Sequence, residues 1–204
     1  MNALQTTLET RIERLLRSIV SNASVHGRWL NTLSFLEHVG SRKIFRARLG
    51  AEMNEMLLRH AAEEARHALF FKSMARRESG ASDFQPESLL CGWSANRYIQ
   101  SLDGKVREYL GPNRDYHCYL LTTYLIEIRA GSVYPLYQQI LTEAGSSISL
   151  RSVILEEEGH LREMTEEMAK HSLTRDAENL SAAEESLFRR FLEKLETCTG
   201  IAQT

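Results

Sequence analysis

Four stretches of this chain carry a glutamate in the middle of an apolar helical stripe. The first reads Leu30, Leu33, Glu37, Gly40, Ile44, and the second Met53, Met56, His60, Glu64, His67, Phe71, Met74. The third reads Leu120, Thr123, Glu127, Ala130, Tyr134, Tyr137, and the fourth Leu150, Val153, Glu157, His160, Met164. All four keep the mixed three-and-four spacing of a core-facing seam. A carboxylate in a helical core is costly unless it is protonated, paired or bound to a metal. Four such groups converging with two histidines would not all stay ionised without cations. Two divalent ions would balance the four carboxylates, and neutral imidazoles would complete the shell.

The rest of the chain agrees with helices. It holds 23 Glu against 4 Asp and only 3 Pro in 204 residues, and Glu forms helices far better than Asp. Helical periodicity predicts helices at about Leu4–Val20, Ser24–Leu49, Ala51–Arg77, Trp93–Leu110, Asn113–Ala144, Ile148–His171 and Asp176–Cys198. Gly50 should turn the second helix back on the third as an antiparallel hairpin. Gly80 to Gly92 reads as the one substantial loop, Pro135 should kink its helix, and Ser147 is placed to cap the helix that follows. No linker or low-complexity tract divides the chain, so one all-α domain over residues 1–204 is expected.

Several classes are disfavoured. A net charge of −2 gives no general attraction to nucleic acid or an anionic membrane. No apolar run approaches a membrane span, and Glu9, Arg11, Glu13, Arg14 and Arg17 stand where a signal peptide needs apolar residues. Cys91, Cys118 and Cys198 are odd in number and far apart, which supports neither a disulfide framework nor a zinc ribbon. A cytoplasmic address is the resulting expectation.

Spacing strengthens the stripe pattern. Glu37 precedes Glu64 by 27 residues and Glu127 precedes Glu157 by 30, while His67 and His160 each follow their Glu by three. The halves repeat at an offset of 90 to 93 residues. This arrangement resembles the ferritin-like di-iron carboxylate superfamily, in which two helices each give a Glu and two each give Glu-x-x-His. The resemblance covers about Ser24 to His171 and implies a ferritin-like four-helix bundle with additional helices. Glu37, Glu64, His67, Glu127, Glu157 and His160 then look like the metal ligands, with Glu64 and Glu157 bridging. Glu63-Glu64-Ala65-Arg66-His67 is similar to the signature of bacterial di-iron oxygenases; Glu156-Glu157-Glu158-Gly159-His160 departs from it at Gly159, where the signature has Arg.

The resemblance implies two iron ions, or a manganese–iron pair, and an enzyme that activates dioxygen to oxidise an organic substrate. A small-molecule or lipid substrate and an external electron donor would be its partners, since no dinucleotide-binding glycine motif is present. Similar oxygenases act on lipids, aromatic amines and modified tRNA bases, and nothing in the sequence selects among them. The alternative is a bacterioferritin-like or rubrerythrin-like ferroxidase or peroxide-handling protein. The extra helix between His67 and Glu127 suits an oxygenase pocket, so a monomer or homodimer is expected rather than a storage cage.

Other residues carry paired readings. Glu63 and Glu156, each four residues before the His on its own helix, are exposed charges or acceptors for a histidine ring. His60 is a satisfied core histidine or faces the cavity, and Thr123 and Tyr134 line a pocket or simply pack. Gly40 and Gly131 leave room beside the metals or allow close helix packing. Arg42, Lys43, Arg46 and Arg48 read as a solvated face.

Overall fold

In α1 (Ala3–Val20), Leu8, Ile12, Leu15, Leu16 and Ile19 recur at helical spacing and are buried. They join one apolar cluster that runs through the molecule to Leu195. The computed structural model describes residues 3–46, 54–80 and 83–200. Among them lie seven α-helices and a short 3-10 turn at Pro86–Ser88, as the all-α expectation requires. None of these helices is long and apolar enough to cross a membrane.

Asn22 opens α2 (Ala23–Arg46) by accepting the Val25 N–H, and Asn54 opens α3 (Glu55–Ser79) by accepting that of Leu57. Ser34 donates to the Ala68 carbonyl and Ser41 to the Ala61 carbonyl, so the two helices run antiparallel. The expected turn at Gly50, the start of the third helix at Ala51, Met53 of its stripe and Arg48 lie outside the described residues. Gly80, at φ 73°, ends α3, and the loop that follows is tied down by Asn31, whose amide donates to the Asp83 and Ser88 carbonyls.

Three starts differ from the sequence reading. Asn113 takes a positive φ of 60°, so α5 begins later and spans Asp115–Glu143. Ser147 does not cap α6 (Arg151–Lys170); the Leu150 N–H is held by the Gln138 side chain, and Ser146 accepts the Ile148 N–H. The last helix, α7, starts slightly early and spans Thr174–Thr199. The helix at α4 covers Gly92–Leu110, and Pro135 lies inside α5 without ending it.

The cysteines overturn an expectation. Cys91 and Cys198 form a disulfide, 107 residues apart in sequence, that fastens the start of α4 to the end of α7. Chain folding brings them together, which residue spacing could not disclose. Disulfides persist mainly in oxidising compartments, so the cysteines no longer argue for a cytoplasmic address. Cys118 is free and buried.

Candidate metal centre

Four helices deliver the glutamates of the four stripes to one place. Glu37 comes from α2, Glu64 and His67 from α3, Glu127 from α5, and Glu157 and His160 from α6. They form two overlapping groups that could hold a metal ion: Glu37, Glu64, His67 and Glu157, and Glu64, Glu127, Glu157 and His160. In each group the candidate ligand atoms lie within 4.8 Å of one another. Glu64 and Glu157 belong to both. All six predicted residues are therefore brought together, and the two expected to bridge are the two that are shared.

Glu37, Glu127, Glu157, His67 and His160 are buried, and the Glu64 side chain is only 13% exposed. The donor set fits a metal in one further respect. His67 Nδ1 and His160 Nδ1 are buried and make no well-directed hydrogen bond, although Glu157 oxygens lie 3.0 Å and 3.3 Å away. Their outer nitrogens are engaged, His67 Nε2 to Glu156 at 2.6 Å and His160 Nε2 to Glu63 at 2.7 Å. An outer carboxylate that accepts the Nε2 proton leaves the Nδ1 lone pair free for an ion. Both histidines are in that position.

These partners are crossed between helices. Glu63 serves His160 and Glu156 serves His67, so neither acts on the histidine of its own helix, as spacing along the helix suggests. Arg66 lies 2.7 Å from Glu156 and 3.8 Å from Glu63. One arginine thus sits beside both outer carboxylates, and the second copy of the motif manages with Gly159. His60 is buried, hydrogen-bonds Glu163 at 2.7 Å and packs on the His160 ring with centroids 4.2 Å apart. It is a satisfied histidine that also lines the cavity described below.

Burial sets the acid–base character. It raises Glu37, Glu64 and Glu127 above the ordinary carboxylate range, and repulsion from Glu157 adds to the shift for each. Glu157 behaves oppositely: burial opposes its charge, but His160 and His67 hold it below that range. Burial also opposes the charge on His67, yet Glu157 and Glu37 raise its pKa to about 9; His160 is raised too, chiefly by Glu157. Without cations, burial favours the neutral form of Glu37, Glu64 and Glu127, whereas Glu157 and the two histidines favour each other's charged forms; a bound cation would take the place of the histidine protons.

Tyr134 is more than packing, since its buried hydroxyl donates to Glu37 at 2.5 Å. A Cβ at Gly40 would stand 2.8 Å from Glu64 Oε2, so this glycine lets that carboxylate approach α2. Gly131 is exposed and borders a side pocket of about 40 Å³ with Glu127 and Glu157.

The four glutamates of the cluster line an apolar cavity of about 150 Å³. Leu33 and Leu36 of α2, Tyr98 and Ile99 of α4, and Phe188 and Phe191 of α7 line it, together with Thr123. The expectation that the fourth helix walls this space is met, and α7, which sequence reasoning overlooked, supplies a second wall. Helical spacing of Phe188 and Phe191 was the available signal. Arg129 and Glu184 were missed as well. They form a buried ion pair with contacts of 2.6 and 3.0 Å, into which Tyr98 donates. Lys43 is not part of a solvated face but lies 2.6 Å from Asp103 with its side chain 20% exposed, while Arg42 is exposed. Nothing is described of the Arg46 side chain.

Together, fold and site define an all-helical protein with a buried glutamate–histidine cluster that could hold metal beside an apolar cavity. No family model matches the chain, and neither curated proteins nor solved structures include a match.

Proposed function

We propose that this chain is a non-haem di-iron oxidase or oxygenase in which α2, α3, α5 and α6 form a ferritin-like four-helix core. The observation that carries the reading is the pair of overlapping Glu/His groups, sharing Glu64 and Glu157, whose glutamates line an apolar cavity. Glu37, Glu64 and His67 would hold one ion and Glu127, His160 and Glu64 the other, with Glu157 reaching both. Two ferrous ions there would supply electrons and open positions for dioxygen.

The protein's own residues do the remaining work. Glu156 and Glu63 orient the two imidazoles through their Nε2 protons, and Tyr134 holds Glu37. Phe188, Phe191, Ile99 and Leu33 keep bulk water from a reactive oxidant and give an organic substrate an apolar bed. Glu37, Glu64 and Glu127 would surrender their protons as cations bind. Electrons for further turnovers would come from an external donor.

The cavity favours this reading over iron storage or peroxide handling, which need no substrate bed. The test is to load the chain with iron and follow oxygen consumption with a chemical reductant. Light scattering and ferrous titration in air would accompany it. A monomer or dimer that consumes oxygen and stops at its binuclear complement is expected. A large hollow assembly that takes up hundreds of irons would overturn the proposal.

A further inference from the structure

The cavity walls hold donors with capacity to spare. Tyr119 is buried, and its hydroxyl makes no well-directed hydrogen bond even with Thr123 as a neighbour. Trp29 Nε1 is buried on the same cavity without an acceptor. Lys43 Nζ, also on the wall, is paired with Asp103 at 2.6 Å, and an ammonium has three N–H groups to donate. Buried donors left without acceptors cost free energy. Trp29 Nε1 and Lys43 Nζ can only donate and the Tyr119 hydroxyl can donate, so a ligand that brings acceptor oxygens can meet all three.

Charge points the same way. Beyond Lys43 and Tyr119 the cavity adjoins an outer groove of about 430 Å³, whose lining shares those two residues. Arg42, Lys43 and Arg107 line that groove against a single acid, Asp103. Asp103 is shared by Lys43 and Arg107, and Arg107 also engages Asp115. Arg129, also on the inner cavity wall, is consumed by Glu184 and covered by Phe188. Basic residues therefore outnumber acids on the Lys43 side, where burial disfavours the Lys43 charge and a bound anion would favour it.

Size limits the apolar part. An engineered apolar cavity of about 150 Å³ binds benzene, and the inner cavity has that volume. We infer that the site takes a small monocarboxylic acid whose ring-sized apolar body lies against the glutamate–histidine cluster and whose carboxylate is held by Lys43 and Tyr119. As a statement about substrate, this rests on the proposed oxygenase function; as a statement about binding, it needs only the cavity.

The experiment is calorimetric titration of phenylacetate and of its neutral amide into the metal-free chain and the ferrous chain under anaerobic conditions. The acid should bind about tenfold or more tighter than the amide in both forms, as expected for a hydrogen bond to a charged group. Lys43→Met should abolish the preference, Lys43→Arg should retain it, and Tyr119→Phe should weaken acid binding severalfold, with helical circular dichroism confirming each fold. Equal binding of acid and amide, or no acid binding at millimolar concentration, would overturn the inference. So would a preference that survives Lys43→Met or that exists only with iron present, since the carboxylate would then be a metal ligand. Acid binding by a chain that holds no iron or consumes no oxygen would instead sink the oxygenase proposal and leave this inference standing.

Discussion

Two sets of buried acids in this molecule are handled in opposite ways. On α7, Glu184 and Glu196 are almost fully enclosed, and each has an arginine: Arg129 at 2.6 Å and Arg11 at 2.7 Å. At the centre, Glu37, Glu64, Glu127 and Glu157 pair with no lysine or arginine among the described residues, only with each other, Tyr134 and two histidines. The same fold that supplies counter-ions for the outer acids withholds them from the inner ones. The missing positive charge is what a pair of metal ions would bring.

The sharpest way to break this comparison is to remove one acid from each set. Glu64→Ala or Glu157→Ala takes a ligand from both groups, so each variant should lose bound iron and all oxygen consumption. Glu184→Ala should leave the iron content unchanged while lowering unfolding free energy by about 3–5 kcal/mol, the cost of stranding a buried charge. Metal analysis and chemical denaturation of the three variants separate the outcomes.

A pH series sharpens the same contrast. Glu37, Glu64 and Glu127 have raised folded-state pKa values. Raised values contribute stability at low pH that is lost as pH climbs through them, and His67, at about 9, acts in the same direction. Glu157, held low, works oppositely and loses its contribution only as the solution becomes acidic. Metal-free chain should therefore melt at progressively lower temperature as pH rises above the ordinary carboxylate range. Iron-loaded chain should show the reverse trend, because ligand deprotonation favours binding. Parallel melting curves with and without iron would contradict the account.

The smallest expected effect concerns the outer glutamates. Glu156→Gln and Glu63→Gln should each weaken iron binding about 10–100-fold. The crossed pairing makes Glu156→Gln non-additive with His67→Ala and additive with His160→Ala. The opposite pattern in a double-mutant cycle would restore the within-helix pairing.

The centre was legible because a polar residue on an apolar stripe can be seen without coordinates, and two halves repeated the pattern. The crossed partners were not legible. Glu63 and His67 share a helix face by spacing, yet α3 and α6 lie against each other so that Glu63 meets His160. Lys43 was read as solvated because its neighbours in sequence are basic, whereas Asp103 on α4 draws it inward. Cys91 and Cys198 join the ends of two helices packed together only in the fold. Each miss is a contact between elements distant in sequence, which helical periodicity does not encode.

Anaerobic titration of metal-free chain with ferrous iron, read as tightly bound ions per chain, tests the central claim most directly. The account predicts about two ions for the natural sequence and a clear loss for the Glu37→Ala, Glu127→Ala double variant. A natural chain that retains no more iron than that variant would contradict it.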